Sequence, residues 1–283
     1  ILGKLKRGGY RNFYVHYSYY GALAAWLVGG KVFYWNRGMP WLFKRGFLEE
    51  LIFKFILRHS TLITSPEVLA KEYQKRYGIK DYRILSNWID AERFLPRESK
   101  EATRSWFGIR EDIKIILFVH HLSERKGADL ILPIVSGLGE LKFMVFVVGD
   151  GPYREILEAQ IQEGAAALRL FGSVPNQNMV PYFQAADILI MPSREEGSPH
   201  ILLDAMAAGT PFVASDVGGV REIVPPGEFE FLCPAEDILC FQKKIKKLLD
   251  DKNLYERLRQ EGLEFIKRFD RPRGVKEFVN LFE

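Results

Sequence analysis

Short runs of β-branched and aromatic residues alternate along the chain with longer stretches whose apolar positions recur at helical spacing. Strands are predicted at 13–16, 31–35, 61–64, 82–85, 114–119, 142–148, 168–171, 188–191, 212–214 and 230–232. Helices are predicted between them at 20–28, 47–58, 66–77, 127–135, 152–163, 179–185, 199–208 and 236–249. Strands that are apolar throughout, each followed by a helix, imply parallel sheets covered on both faces. The rhythm breaks at 93–112, which is charged, contains Pro96 and lacks a strand, so a domain boundary is expected there. Two doubly wound units facing across a cleft would bind ligands at the carboxyl ends of their strands.

Composition bears on class. Hydrophobic residues make up 47% and charged residues 27% of the 283, which excludes a disordered chain, a collagen-like repeat or a bare disulfide scaffold. The longest apolar stretches, 21–30 and the run around Phe118, fall short of the ~20 residues that span a bilayer. Cys233 and Cys240 cannot cage a metal alone and read as two reduced thiols of a cytosolic protein. The chain opens on Ile1 rather than Met, so a preceding segment is expected. Net charge is +4, unevenly spread: residues 1–95 carry sixteen Lys and Arg against seven Asp and Glu, and the remainder is acidic. The basic part is also aromatic, with Phe13, Tyr14, Trp26, Trp35, Trp41 and Phe47 among its rings. Such a segment suits either an anionic membrane surface or a ring-filled core with solvated charges, and the sequence leaves both open.

Three segments could carry chemistry. In 193–211, Ser198 is expected as an N-cap, Pro199 in the first turn and Gly209 at the stop of an apolar helix. Asp204 lies within that helix and Glu196 in the loop before it, while the first amides, on His200 and Ile201, could receive an anion. Two acids and an anion site along one helix suit a sugar–diphosphate–ribose ligand, although a capped core helix fits the spacing as well. The loop after the strand at 114–119 places Arg125 and Lys126 at a strand's carboxyl end, where a lysine can neutralise a leaving diphosphate. Gly149, Asp150 and Gly151 form a close-approach turn; Arg154 replaces the third glycine of a dinucleotide fingerprint, which argues against NAD.

The order of the blocks adds more. Lys126-Gly127, then GDGP at 149–152, FGSVP, ADILIMPS and EGSPHILLDAMAAGTPFVASDVGGVREIV follow one another. VHYSYYGALAA, KVFYWNRG, LITSPEVLAKEY and ILSNWIDAERFLP precede them. Together they resemble the retaining glycosyltransferase family 4 (glycosyl transferases group 1), of GT-B fold. The resemblance implies an α/β protein of two Rossmann-like doubly wound domains, the N-terminal one incomplete. Its expected divisions are an acceptor-side domain at 1–95, a linker at 96–112, a donor domain at 113–268 and a C-terminal helix at 269–283 returning to the first domain.

The family's paired acids fall on Glu196, expected to hold donor-sugar hydroxyls near the reacting face, and Asp204, expected on the ribose. Lys126 matches the phosphate lysine, and its partner arginine is replaced by His121. Arg125, Gly151, Gly197, Ser198, Pro199, His200 and Ile201 would line the sugar and diphosphate, Val174 would meet the base, and Asn36 stands where a histidine often approaches the sugar. The implied activity is transfer of a sugar from a nucleotide-diphosphate sugar to a glycan, lipid-linked or small-molecule acceptor, with retention and without a metal or other cofactor. Implied partners are the donor, the acceptor and a peripheral membrane contact at the inner face of the cytoplasmic membrane, with no nucleic acid. Lys44, Arg45 and the helix after Phe47 are the expected docking elements. Two rivals stay open: a nucleotide-sugar-binding GT-B protein without transferase activity, and a nucleotide-sugar epimerase.

Overall fold

A computed structural model describes residues 2–95, 98–164 and 167–282. Its strands are β1 (Asn12–His16), β2 (Lys31–Trp35), β3 (Thr61–Thr64), β4 (Tyr82–Ile84), β5 (Lys114–Val119), β6 (Phe143–Val148), β7 (Leu168–Gly172), β8 (Ile188–Met191), β9 (Phe212–Ser215) and β10 (Leu232–Cys233). The chain divides into two compact units, residues 2–88 with 272–282, and residues 89–271.

In the first unit β1, β2, β3 and β4 lie side by side in sequence order, all parallel. Alternation along each strand sorts its side chains between two layers. Phe13, Val32, Tyr34 and Leu62 pack with Phe53, Ile56, Leu57 and Tyr73. Phe33, Trp35 and Ile63 face the other way, against Trp88, Phe278 and Phe282. The last helix (Arg271–Asn280) supplies Phe278, whose ring centroid is 5.1 Å from that of Tyr14. It can approach because residue 274 is glycine: a Cβ there would stand 2.6 Å from Trp88.

The second unit holds a parallel sheet in the order β10-β9-β8-β5-β6-β7. The chain builds outward from β5 through β6 and β7, then restarts on the other side of β5 with β8. The order therefore reverses between β5 and β8, and the loops that leave those two strands diverge at a switch point. Ile115, Leu117, Phe146, Leu189 and Phe212 fill one face of this sheet, and Ile116, Phe118, Val147, Ile190 and Val213 the other.

Two expectations change. Of the expected linker at 96–112, residues 96 and 97 lie outside the described residues, and residues 98–112 are not a linker but part of the second unit. Ser99 accepts a hydrogen bond from the Ala102 amide at 3.2 Å and starts a helix (Lys100–Trp106). The buried Asp187 draws that helix in, because an isolated buried carboxylate needs donors. Arg104 pairs with it, Lys100 Nζ lies 3.1 Å away and the Ile115 amide donates at 2.7 Å. Charge in this stretch thus marks a docked helix rather than a solvated connection.

Cys233 and Cys240 are joined in a disulfide, which corrects the reading of two reduced thiols. Asp237 caps the helix Ile238–Asp250 through the Cys240 amide at 2.9 Å, folding its first turn back onto the end of β10. The two Cα atoms come to 5.8 Å, within bridging range. Among the described residues no helix is long and apolar enough to cross a membrane.

Candidate functional site

The loops leaving β5 and β8 pack on each other at backbone distance. Gly127 has φ +73°, and a Cβ there would stand 2.2 Å from the Pro192 carbonyl oxygen. The Arg194 amide donates to the Arg125 carbonyl at 2.9 Å, and the Arg194 guanidinium forks onto Asp129 at 2.7 and 2.8 Å. A third loop closes from the far side: Gly218, at φ +56°, would place a Cβ 1.7 Å from the Glu196 carbonyl oxygen. Only glycine fits either position, since both the backbone angle and the close approach exclude a side chain.

Within this junction Glu196 and Lys126 meet. Each is only 6% exposed, and Lys126 Nζ lies 2.7 Å from Glu196 Oε1. The same oxygen accepts from Ser193 Oγ at 2.8 Å and pairs with His120 Nε2 at 3.0 Å. Burial pushes the Glu196 carboxyl up, but the His120 hydrogen bond and the Lys126 charge more than offset it and hold it at about 2. Burial lowers the Lys126 ammonium while the Glu196 charge opposes that shift. The pair is ionised across neutral pH. Lys126 also donates to the Glu195 carbonyl at 3.2 Å.

Around this pair the structure gathers several of the predicted residues. His121 is exposed, and its ring edge would meet a Cβ on Gly151 at 2.8 Å. Gly149, at φ +138°, and Gly151, at φ +154°, let the turn after β6 lie against the carbonyls of His120 and Leu122. The Gly197 carbonyl accepts from the Gly219 amide at 3.1 Å. Arg125 is exposed beside Lys126. Ser198 is not the N-cap position: the helix is His200–Ala208 and its cap is Pro199. Pro199 holds extended rather than helical backbone angles, φ −71°, ψ 111°, so the helix starts one residue later than expected. His200 and Ile201 open the helix, with Ile201 partly buried on the core.

Asp204 lies on that helix with Arg93 Nη2 3.9 Å from its carboxylate, and Arg93 also donates to Asn176 Oδ1 at 3.1 Å. Burial raises the Asp204 carboxyl to about 6, and the distant Arg93 charge only partly opposes it. Val174 lines a groove of about 730 Å³ together with Arg93, Glu98, Trp106, Asn178 and Tyr182. Sequence reasoning missed Arg93 because it sits in the charged stretch taken as boundary. It missed His120 beside the singled-out His121, although the first residue beyond a strand at a switch point is the place to look.

Asn36 stands in the first unit, buried, with Nδ2 donating to Tyr34 Oη at 3.2 Å and Oδ1 accepting the Gly38 amide at 2.9 Å. It shapes the turn after β2. Arg45 is not a docking residue: its side chain is 13% exposed, pairs with Glu50 at 2.9 Å and lies 4.3 Å from the Phe53 ring centroid. Its guanidinium is held by the fold. Lys44, Leu42, Phe43, Phe47, Leu48 and Leu51 remain exposed, Phe47 at 84%.

A family model described as glycosyl transferases group 1 matches residues 99–265. The sulfoquinovosyl transferase SQD2 of Arabidopsis thaliana is 27% identical over 192 residues, 66% of this chain and 37% of that protein. The D-inositol 3-phosphate glycosyltransferase of Streptomyces avermitilis is 28% identical over 203 residues, 67% of this chain and 43% of the relative. The chain thus spans well under half the length of these two proteins. The crystal structure of Anabaena HepE in complex with UDP-glucose superposes with a TM-score of 0.83 at 16% identity, covering 99% of this chain and 81% of that one.

Proposed function

The chain belongs to the glycosyl transferases group 1 family and has the GT-B fold, and from that premise we propose that it transfers a sugar from a nucleotide-diphosphate sugar to a glycan or lipid-linked acceptor. The observation that carries this reading is the buried Lys126–Glu196 pair at the switch point between β5 and β8. Open α/β sheets bind ligands at that place. A carboxylate there can accept sugar hydroxyls. The lysine supplies positive charge at the carboxyl ends of the strands, where a diphosphate would depart.

In the proposed reaction an acceptor hydroxyl bonds to the anomeric carbon as the carbon–oxygen bond to the diphosphate breaks. The acceptor proton passes to the departing phosphate oxygen on the same face, which retains the anomeric configuration. Lys126, with the amides of His200 and Ile201, offsets the charge that develops on that phosphate, so no divalent ion is required. Asp204 takes the ribose hydroxyls and Val174 borders the base. HepE was crystallised with UDP-glucose, which makes a UDP-sugar the first donor to try.

The test is thermal shift of the full chain with UDP-, GDP- and ADP-hexoses, followed by NMR of the product's anomeric proton in EDTA. Stabilisation by one donor and a product of unchanged anomeric configuration support the reading. An inverted product, or activity restored only by magnesium or manganese, refutes the mechanism. Donor binding without transfer favours a binding protein, and donor isomerised without acceptor favours an epimerase.

We further propose that the acceptor lies at an anionic membrane surface. Leu42, Phe43, Phe47, Leu48 and Leu51 expose apolar area next to Lys44 at the start of the helix Phe47–His59. A basic residue near such a surface contributes about 1 kcal/mol, so the apolar side chains would carry most of the binding. Flotation with phosphatidylserine vesicles should fall for Phe47→Ser/Leu48→Ser. Unchanged flotation of that variant, or none for the wild type at low salt, sinks the membrane assignment and leaves the donor site untouched.

A further inference from the structure

We propose that His120 is a positioning residue that fixes the Glu196 carboxylate for the donor sugar, an inference that rests on the glycosyltransferase reading. Three donors converge on Glu196 Oε1, and they differ in what anchors them. Ser193 belongs to the same loop as Glu196 and moves with it. Lys126 reaches from a flexible four-carbon stem. His120 sits directly beyond β5, where its amide donates to the Val148 carbonyl at 3.1 Å and its own carbonyl is backed by Gly149. Of the three, His120 ties the carboxylate to the sheet.

Both ring nitrogens are committed. Nδ1 accepts the His121 amide hydrogen at 2.9 Å, so it carries no proton, and in the neutral ring Nε2 bears the hydrogen. Nε2 therefore donates to Glu196 Oε1 at 3.0 Å. The backbone of His121 thus selects the tautomer that can hold Glu196, and the two bonds together fix the plane of the ring. With three donors on Oε1 the carboxylate cannot turn, and Oε2, which none of the three engages, is left to meet a sugar hydroxyl. The residue acts through Glu196 and has no contact of its own with the sugar in this scheme.

Three substitutions separate this role from a merely structural one. Glutamine places an amide nitrogen near the position of Nε2 and keeps the donor to Glu196. Asparagine keeps an acceptor for the His121 amide but stops short of Glu196. Alanine keeps neither. Turnover is read as donor hydrolysis, with water as acceptor, using UDP-glucose, GDP-mannose and ADP-glucose as probes. Mispositioning of a reactive group costs on the order of 100-fold in rate, so Ala and Asn should lower kcat about ten- to hundredfold. The Kd of the matching nucleoside diphosphate should change by less than about threefold, because the nucleotide does not report on the sugar hydroxyls. Gln should stay within about threefold of wild type.

An Asn variant as active as the Gln variant, or an Ala variant with wild-type kcat, overturns the proposal. So does a loss of nucleotide affinity in step with kcat, which would make His120 a phosphate contact. Long-range 1H–15N spectra of the ligand-free protein, assigned with His120→Gln, provide a readout independent of turnover. An Nε2–H tautomer whose resonance moves in Glu196→Gln supports the contact, and an Nδ1–H tautomer refutes it. If the wild type hydrolyses none of the probes, the transferase reading fails and the positioning role falls with it, whereas the tautomer alone failing leaves the transferase reading standing.

Discussion

Lys126→Met keeps an unbranched stem and removes the ammonium 2.7 Å from Glu196 Oε1. Both side chains are buried, so the carboxylate would remain as an uncompensated charge. Removing one partner of a buried pair costs about 3–5 kcal/mol. His120 and Ser193 still reach the same oxygen at 3.0 and 2.8 Å, which places the expected loss at the lower end, about 3 kcal/mol. Adding Glu196→Gln removes the stranded charge and should recover at least about half of the loss. The pH dependence has a definite sign. The Glu196 carboxyl is held at about 2, below the ~4.3 of an unfolded glutamate. Its contribution is therefore full above ~4.3 and is lost as pH falls toward 2. In Lys126→Met the carboxyl moves up, so the stability gap to wild type should be wide at pH 7 and narrow as pH falls below ~4. Urea unfolding of wild type, single and double variants at pH 7 and pH 3 measures all of this. A single variant within ~0.5 kcal/mol of wild type at pH 7, or a double variant no more stable than the single, would show that the two charges are not buried against each other.

Glu228 is 1% exposed with Oε2 unpartnered, and burial, reinforced by Glu261, raises its carboxyl to about 8. A raised acid contributes stability that is full below the unfolded value of ~4.3 and is lost as pH rises through 8, on the order of 5 kcal/mol across that window. Glu228→Gln should flatten this slope in urea titrations from pH 5 to 9, and an unchanged slope contradicts the burial of the acid. Asp204→Ala should weaken nucleoside diphosphate binding about tenfold while leaving kcat at saturating donor within about threefold, since a ribose contact is common to ground and transition states. Calorimetry of the wild type should also show affinity rising as pH passes through about 6, where Asp204 ionises. A fall in kcat at unchanged affinity would move Asp204 off the ribose.

Much of the fold was legible because its strands are apolar on both faces and its helices are bounded by glycine and capping acids. Leu117, Val147 and Leu189 belong to unbroken apolar runs, and each run is a central strand of the second sheet. Gly209 ends the buried helix in the left-handed conformation at φ +65°, as its place after the last apolar residue implied. The failures share a cause. The helix Lys100–Trp106 has the charge of a linker, and its reason for being helical lies 83 residues away in the Arg104–Asp187 pair. The helix Lys252–Phe265 likewise carries many charges on one face, while Leu254 and Leu258 face the core. Joining Cys233 to Cys240 depends on a turn that brings the helix start back to the strand end, which spacing alone does not specify.

The site was legible in its ends and not in its middle. Glu196 and Lys126 are 70 residues apart in sequence, and each was readable only as an acid or a base in a loop after a strand. Their meeting requires the order reversal that makes β5 and β8 neighbours, a property of the whole sheet rather than of either loop. The glycines at 127 and 218 then matter as contact points, because a methyl group at either would push one loop off another by clashing with backbone. Arg45 shows the converse error: a basic residue in a basic, aromatic stretch reads as a surface charge, yet it lies over Phe53 and pairs with Glu50. Sign and position along the chain therefore located candidate chemistry. What each charge does depends on which other charge the topology brings within ~3 Å: Lys126 and Arg45 both read as surface cations in the sequence, and each is paired with a glutamate in the fold.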